Sequence, residues 1–271
     1  ADRVRSPLRL YGALELLLAV YAMAFPAVMD AVGAVFFAAA ASLPEHSRNL
    51  PKLVLAAAVL AAPAMLMGGT LPALGRHFTE QLGGLRRELA RLYAVNCFGA
   101  CFGALAAGVH LVPAVGLAAS SRLAAGLNLA IALGAFALSS GPAPARPAVE
   151  DVPAAGPASL ASVRAALAGL ALAGFAGMLY EVLWIRVLAL VLGSSTYAFT
   201  FTLAAFVLGL GLGSLALGTR GKDDEALGAF GWLQLGLGGA VCLALPLQER
   251  LPYVFWQGAH SLNRVPQTWP M

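Results

Sequence analysis

Residues 187–219 read VLALVLGSSTYAFTFTLAAFVLGLGLGSLALGT, without one charged side chain. A helix crosses a bilayer with about 20 consecutive apolar residues, at a rise of 1.5 Å each. The run is broken near its start by Gly193-Ser194-Ser195-Thr196. Gly193 permits a tight reversal, and Ser or Thr can cap the helix that follows. The stretch therefore predicts a hairpin of two membrane-crossing helices. The glycine cluster Gly209-Leu210-Gly211-Leu212-Gly213 lies inside it. A nucleotide-binding loop would need a strand before it and a soluble helix after it, so that reading is rejected.

The same pattern recurs outward in both directions. Spans are predicted at 8–27, 53–75, 92–113, 117–138, 165–191, 196–218 and 226–247. The apolar stretch 29–43 is short for a crossing and is placed at the membrane interface. Composition agrees: of 271 residues, 60% are hydrophobic and 11% charged, with mean hydropathy +0.80. A soluble domain carries about 25% charged residues. The fold class is thus all-α, a polytopic transmembrane helix bundle of about seven spans.

The net charge of +4 does not point to nucleic acid, because the basic residues sit in short loops between apolar runs. They mark topology instead. With the N-terminus in the cytoplasm, Arg48, Lys52, Arg122, Arg186, Arg250 and Arg264 lie outside or near the outer face. The other eleven of the 17 Lys and Arg lie inside, a positive-inside bias. The expected location is the cell membrane, as in a bacterial inner membrane. The chain begins at Ala1 and ends at Met271 just after a span, as a piece of a longer protein would.

Three regions follow. Residues 1–139 form a first helical half of four spans plus the interfacial segment 29–43. Residues 140–160 are a Pro/Ala-rich cytoplasmic linker, in which Pro142, Pro144, Pro147, Pro153 and Pro157 rule out a helix. Residues 161–271 form a second half of three spans. A repeat links the halves: Tyr11-Gly12-Ala13-Leu14-Glu15-Leu16 matches Phe230-Gly231-Trp232-Leu233-Gln234-Leu235, about 219 residues apart, with Pro26 and Pro246 closing the two runs. Both copies would run from cytoplasm to outside. That makes a parallel repeat of the major-facilitator type, truncated at both ends.

Few residues can carry chemistry. Glu181 lies within a span, roughly 15 Å from its outer end. A charge at such depth costs about 2.5 kcal/mol or more and faces protein or water. Arg186 is five positions on and points away from it, so another partner is needed. Glu181 is either a polar substrate or proton site, or a structural carboxylate between helices. Glu15 aligns with Gln234, which keeps the size and loses the charge, as a structural hydrogen bond requires. Asn96 and Asn128 can bridge helices or contact substrate. Gly99 with Gly103, and Gly209 with Gly213, form small-residue faces for helix packing, as do Gly169, Ala173 and Gly177. Pro63, Gly68, Gly69 and Pro72 mark a kink. Cys97, Cys101 and Cys242 read as packing thiols, with no disulfide framework and no metal site.

Residues 177–218 carry Tyr180-Glu181-Val182-Leu183-Trp184, Gly193-Ser194-Ser195, Tyr197 and Gly209–Ser214. With Met67-Gly68-Gly69-Thr70-Leu71-Pro72 and 92–100, they resemble the membrane-embedded spermidine-synthase-like proteins. The resemblance covers nearly all of the chain. It implies a major-facilitator-like helical region joined to an aminopropyltransferase-type cytoplasmic domain. That soluble domain is absent from this chain, and so is the earlier copy of the Glu-containing hairpin. No catalytic or cofactor-binding residue is therefore carried over, and no cofactor is expected. The resemblance implies the membrane region of such a protein, anchoring or serving a polyamine-type domain. Alternatives are a transporter-like bundle for a polyamine or other small cation, and a structural subunit of a larger membrane complex. The expected partners are the lipid bilayer, other membrane subunits and a small cationic substrate, with no nucleic acid.

Overall fold

The computed structural model describes residues 6–40, 43–82, 85–140, 160–220 and 226–262, and among these every regular element is a helix. In chain order they are α1 (Pro7–Ala40), a 3-10 turn (Glu45–Arg48), α2 (Asn49–Leu82), α3 (Leu85–Leu105), a π-helical stretch (Ala106–Leu111), α4 (Val112–Leu138), α5 (Leu160–Leu192), α6 (Ser195–Arg220) and α7 (Ala226–Leu262). Six helical stretches are long and apolar enough to cross a membrane, the longest being Arg87–Leu138. The protein is a transmembrane helix bundle. The linker residues 141–159 lie outside the described residues, as do Arg3, Arg5, Arg146, Lys222 and Arg264.

Burial follows the logic of a lipid solvent. Apart from Leu18, the buried apolar positions are small: Ala73, Ala94, Cys97, Ala125, Ala132, Ala135, Ala198 and Ala204 among them. Large apolar side chains point outward, as do Met65 of α2, Phe175 and Leu190 of α5 and Leu243 of α7. In water such a surface would drive aggregation. In lipid, burying a leucine brings no gain, and small side chains let helix backbones approach.

Three helices run well past their predicted bounds, α1, α2 and α7. α1 does not stop near residue 27 but continues through Pro26 to Ala40. The stretch 29–40 is thus the end of a helix and not a segment of its own. A proline removes one backbone donor, which a membrane helix tolerates where neighbours satisfy the freed carbonyl. α7 likewise runs through Pro246 and Pro252 to Leu262. α2 passes through both Pro63 and Pro72 as one helix.

By contact the chain forms two compact units. One comprises Ala1–Tyr93 and His110–Glu150; the other comprises Ala94–Val109 and Asp151–Met271. In the first, α1 packs on α2 and α4. A β-carbon built on Gly12 of α1 would lie 3.2 Å from Ala135 and Phe136, so that face sits directly on α4. α1 and α2 run antiparallel: Leu14 meets Gly69, Tyr21 meets Val59 and Phe36 meets Lys52. The Tyr21 hydroxyl donates to the Val59 carbonyl at 2.7 Å. Val59 is four residues before Pro63, so this is the carbonyl that the proline leaves without its helical donor.

In the second unit α5 packs on α6 and α7. α5 ends where Gly193 takes φ +65, and α6 begins two residues later. This is the predicted hairpin, and the positive φ explains the glycine. A β-carbon built on Gly169 of α5 would lie 3.2 Å from Phe230, and one built on Gly177 would lie 3.8 Å from Phe206, so this small-residue face lies against its neighbours. For Gly99, Gly103, Gly209 and Gly213, among the described residues, nothing beyond the local helix backbone lies within 4 Å of a built β-carbon. The close approach on α6 is made by Gly211, whose β-carbon would meet Cys97 at 3.0 Å, Phe98 at 3.1 Å and the Ala94 carbonyl at 3.4 Å. Gly211 is two residues from each neighbouring glycine, about 200° around the helix, so it presents the opposite face.

Candidate functional site

The predicted polar residues fall in different units. Glu15 and Asn128 belong to the first, Asn96 and Glu181 to the second. Glu15 is buried in α1, one turn from Tyr11. Asn128 is half-buried on α4, and Asn96 is exposed on α3. Cys97, Cys101 and Cys242 are not joined in disulfides. Among the described residues no group of three His, Cys, Asp or Glu could hold a metal ion.

Glu181 has the most developed surroundings. It is half-buried and lines a cleft of about 350 Å³ between α5, α6 and α7. It stands eleven residues before Leu192, the end of α5 (192 − 181), or about 16 Å along the axis. Tyr180 and Trp184 flank it on α5; Phe201, Thr202 and Phe206 enter from α6, and Leu237 and Val241 close the far side from α7. No basic side chain is among the lining residues, and Arg186 is not one of them. The carboxylate thus meets aromatic and aliphatic surface, with Thr202 as its polar company.

Thr202 was not apparent in the sequence. It is buried, with 8% of its surface exposed, and its hydroxyl has no hydrogen-bond partner among the described residues. Helical threonines commonly bond back to the carbonyl one turn earlier. Thr200 does so, donating to Thr196 at 2.9 Å. An unpaired buried hydroxyl costs about 1–3 kcal/mol, and here it stands beside the cleft that holds the intramembrane carboxylate. The only sequence signal was its place in Phe199-Thr200-Phe201-Thr202, which reads as ordinary helix filling.

Such a cleft suits a particular chemistry. A carboxylate in apolar surroundings gains from a counter-charge. Aromatic faces attract cations within about 6 Å of the ring centroid. A hydroxyl can accept one further N–H bond. An organic ammonium ion with an apolar body satisfies all three. Comparison of the chain with protein-family models, with curated proteins and with solved structures finds no match.

Proposed function

We propose that this chain is a membrane-spanning bundle that binds a small organic cation in the α5–α6–α7 cleft. The observation that carries the reading is that one cleft of about 350 Å³ is lined by the intramembrane Glu181 and by Thr202, whose buried hydroxyl is unsatisfied, among aromatic rings. Glu181 pairs with the ammonium, Trp184, Phe201 and Phe206 offer ring faces to it, and Leu237 and Val241 cover its carbon body. Glu181 is the one carboxylate lining the cleft, so the ligand that fits it carries a single ammonium there. A polyamine would keep its further charges outside.

A second reading is that the chain is the membrane region of a spermidine-synthase-like protein, serving an aminopropyltransferase-type domain. One observation favours it: Gly177, Tyr180, Glu181 and Trp184, on which the resemblance rests, line the cleft. The two readings are compatible, since amine binding would serve such a domain.

The bundle is proposed to lie in the cell membrane with its N-terminus in the cytoplasm. Arg87–Leu138, 52 residues long, spans about 78 Å as helix, more than two hydrocarbon thicknesses of roughly 30 Å. It is interrupted at Gly116, whose φ 79 and ψ 168 are non-helical. Two crossings on either side of Gly116 give seven in all, consistent with the parallel repeat.

Amine binding is tested on the purified chain in detergent, by thermal stabilisation and intrinsic tryptophan fluorescence. Wild type should bind a monoamine with an apolar tail. Glu181→Gln should weaken it roughly 30-fold or more, the cost of removing one partner of a desolvated charge pair. Thr202→Val should weaken it less, while leaving the unliganded protein as stable or more so. Equal response of wild type and Glu181→Gln would rule the proposal out. Uptake into proteoliposomes then separates transport from binding alone.

A further inference from the structure

A second cleft, of about 430 Å³, lies between α1 and α2 in the first unit. It takes no part in the cation reading. Its walls are Phe25, Met29, Val32 and Phe36 of α1 and Val59 and Leu60 of α2, among other apolar groups, and its one charged lining residue is Lys52. The volume is more than ten times the roughly 30 Å³ share of one water, and its walls offer water almost no polar partner. It therefore calls for an apolar occupant.

Its shape is as informative as its lining. Lys52 is three residues into α2, and Phe36 is four residues from the end of α1, so both stand where the two helices terminate. Leu60 is eight residues deeper along α2 and Phe25 eleven residues deeper along α1, about 12 and 16 Å. The cleft thus runs along the helix axes, with a cation at its helix-end mouth and hydrocarbon below. The Lys52 ammonium is held there, 5.6 Å from the centre of the Phe36 ring. Nearby Arg48 is engaged elsewhere, donating through Nε to the Leu43 carbonyl at 3.0 Å. Met29 and Leu60 are both exposed, so the cleft opens on the apolar flank of two membrane-crossing helices.

We propose that this cleft binds an anionic phospholipid, with an acyl chain between α1 and α2 and the headgroup phosphate on the Lys52 ammonium. Charge at the mouth selects the headgroup, because a basic side chain at a membrane surface favours anionic lipid. Length and apolar lining select the chain. A soluble anion would match the lysine but not the hydrocarbon wall. A zwitterionic lipid would match the wall, but its own choline cation competes with the lysine for the phosphate.

The test uses the whole chain purified in detergent, with native mass spectrometry and thermal shift on addition of phosphatidylglycerol or phosphatidylcholine with the same acyl chains. Wild type should prefer phosphatidylglycerol roughly fivefold, the worth of one basic residue against an anionic surface. Lys52→Gln should bring the ratio to about one, and Lys52→Arg should restore it. Gly33→Leu supplies the second arm: among the described residues nothing beyond the local helix backbone lies within 4 Å of a β-carbon at Gly33, which lines the cleft. The leucine also removes a helix-weakening glycine, so the variant should fold and lose binding of both lipids. An unchanged ratio in Lys52→Gln, or wild-type lipid binding by Gly33→Leu, would overturn the proposal. So would competition by inorganic phosphate, or a dimer that Gly33→Leu abolishes, which would make the occupant a free ion or a second copy.

Discussion

Tyr21 and Pro63 show how single residues settle accounts between two helices. Proline in α2 takes away the donor to the Val59 carbonyl, and the Tyr21 hydroxyl supplies a replacement from α1 at 2.7 Å. In lipid no water competes for that carbonyl, so the bond carries more weight than a surface bond. Tyr21→Phe should therefore destabilise the protein by about 1 kcal/mol. In a Pro63→Ala background the restored N–H satisfies Val59, and Tyr21→Phe should cost little. A double-mutant cycle from unfolding in mixed micelles reads the coupling directly, and additive effects would contradict it. The proline was visible in the sequence as a kink signal, but its partner was not. Nothing in the letters joins position 21 to position 59; only the antiparallel register of α1 and α2 does. Thr202 was hidden for the same reason, since its significance comes from Glu181, which is on another helix.

At the scale of elements, the sequence read the helices well and their faces less well. Uninterrupted apolar runs between charged loops are a counting signal, and α5 and α6 end close to their predicted boundaries. Glycine spacing is weaker, because a four-residue repeat names a face without saying what it meets. Gly209 and Gly213 satisfy the pattern, but among the described residues nothing beyond the local helix lies within 4 Å of their built β-carbons, whereas one on Gly211 between them would meet Ala94, Cys97 and Phe98. Leucine at Gly211 should thus force α3 and α6 apart and cost about 1–3 kcal/mol, the usual range for overpacking. Alanine at Gly209 or Gly213 should be neutral or stabilising by up to about 1 kcal/mol through helix propensity. Melting temperatures of the three variants in one detergent decide the matter. A Gly209→Ala loss as large as that of Gly211→Leu would return the packing role to the spaced pair. Gly108 in the π-helical stretch is constrained in the same way, since a β-carbon there would overlap the Thr200 side chain.

For the molecule as a whole, the membrane solvent was legible from composition, and the buried alanines and exposed leucines follow from it. The division of the chain was not. Residues 94–109 pack within the second compact unit although they precede the Pro-rich linker, and no local feature of that segment announces its allegiance. The number of crossings turns on Gly116. Its φ of 79 and ψ of 168 lie in a region that only glycine occupies at low cost, and Pro113 just before it lacks a donor. If the chain turns back there, it crosses the membrane twice between Arg87 and Leu138, and every later loop changes sides relative to a single crossing. Ser47, before α2, and Ser194, between α5 and α6, then lie on the same side. With one crossing they lie on opposite sides. Replacing Cys97, Cys101 and Cys242 with alanine and introducing Ser47→Cys or Ser194→Cys gives a direct measurement with a membrane-impermeant thiol reagent on sealed cells. Both positions should label from outside. Labelling of Ser47→Cys alone would reduce the count to six and reverse the orientation of α5, α6 and α7, carrying the mouth of the Glu181 cleft to the other face.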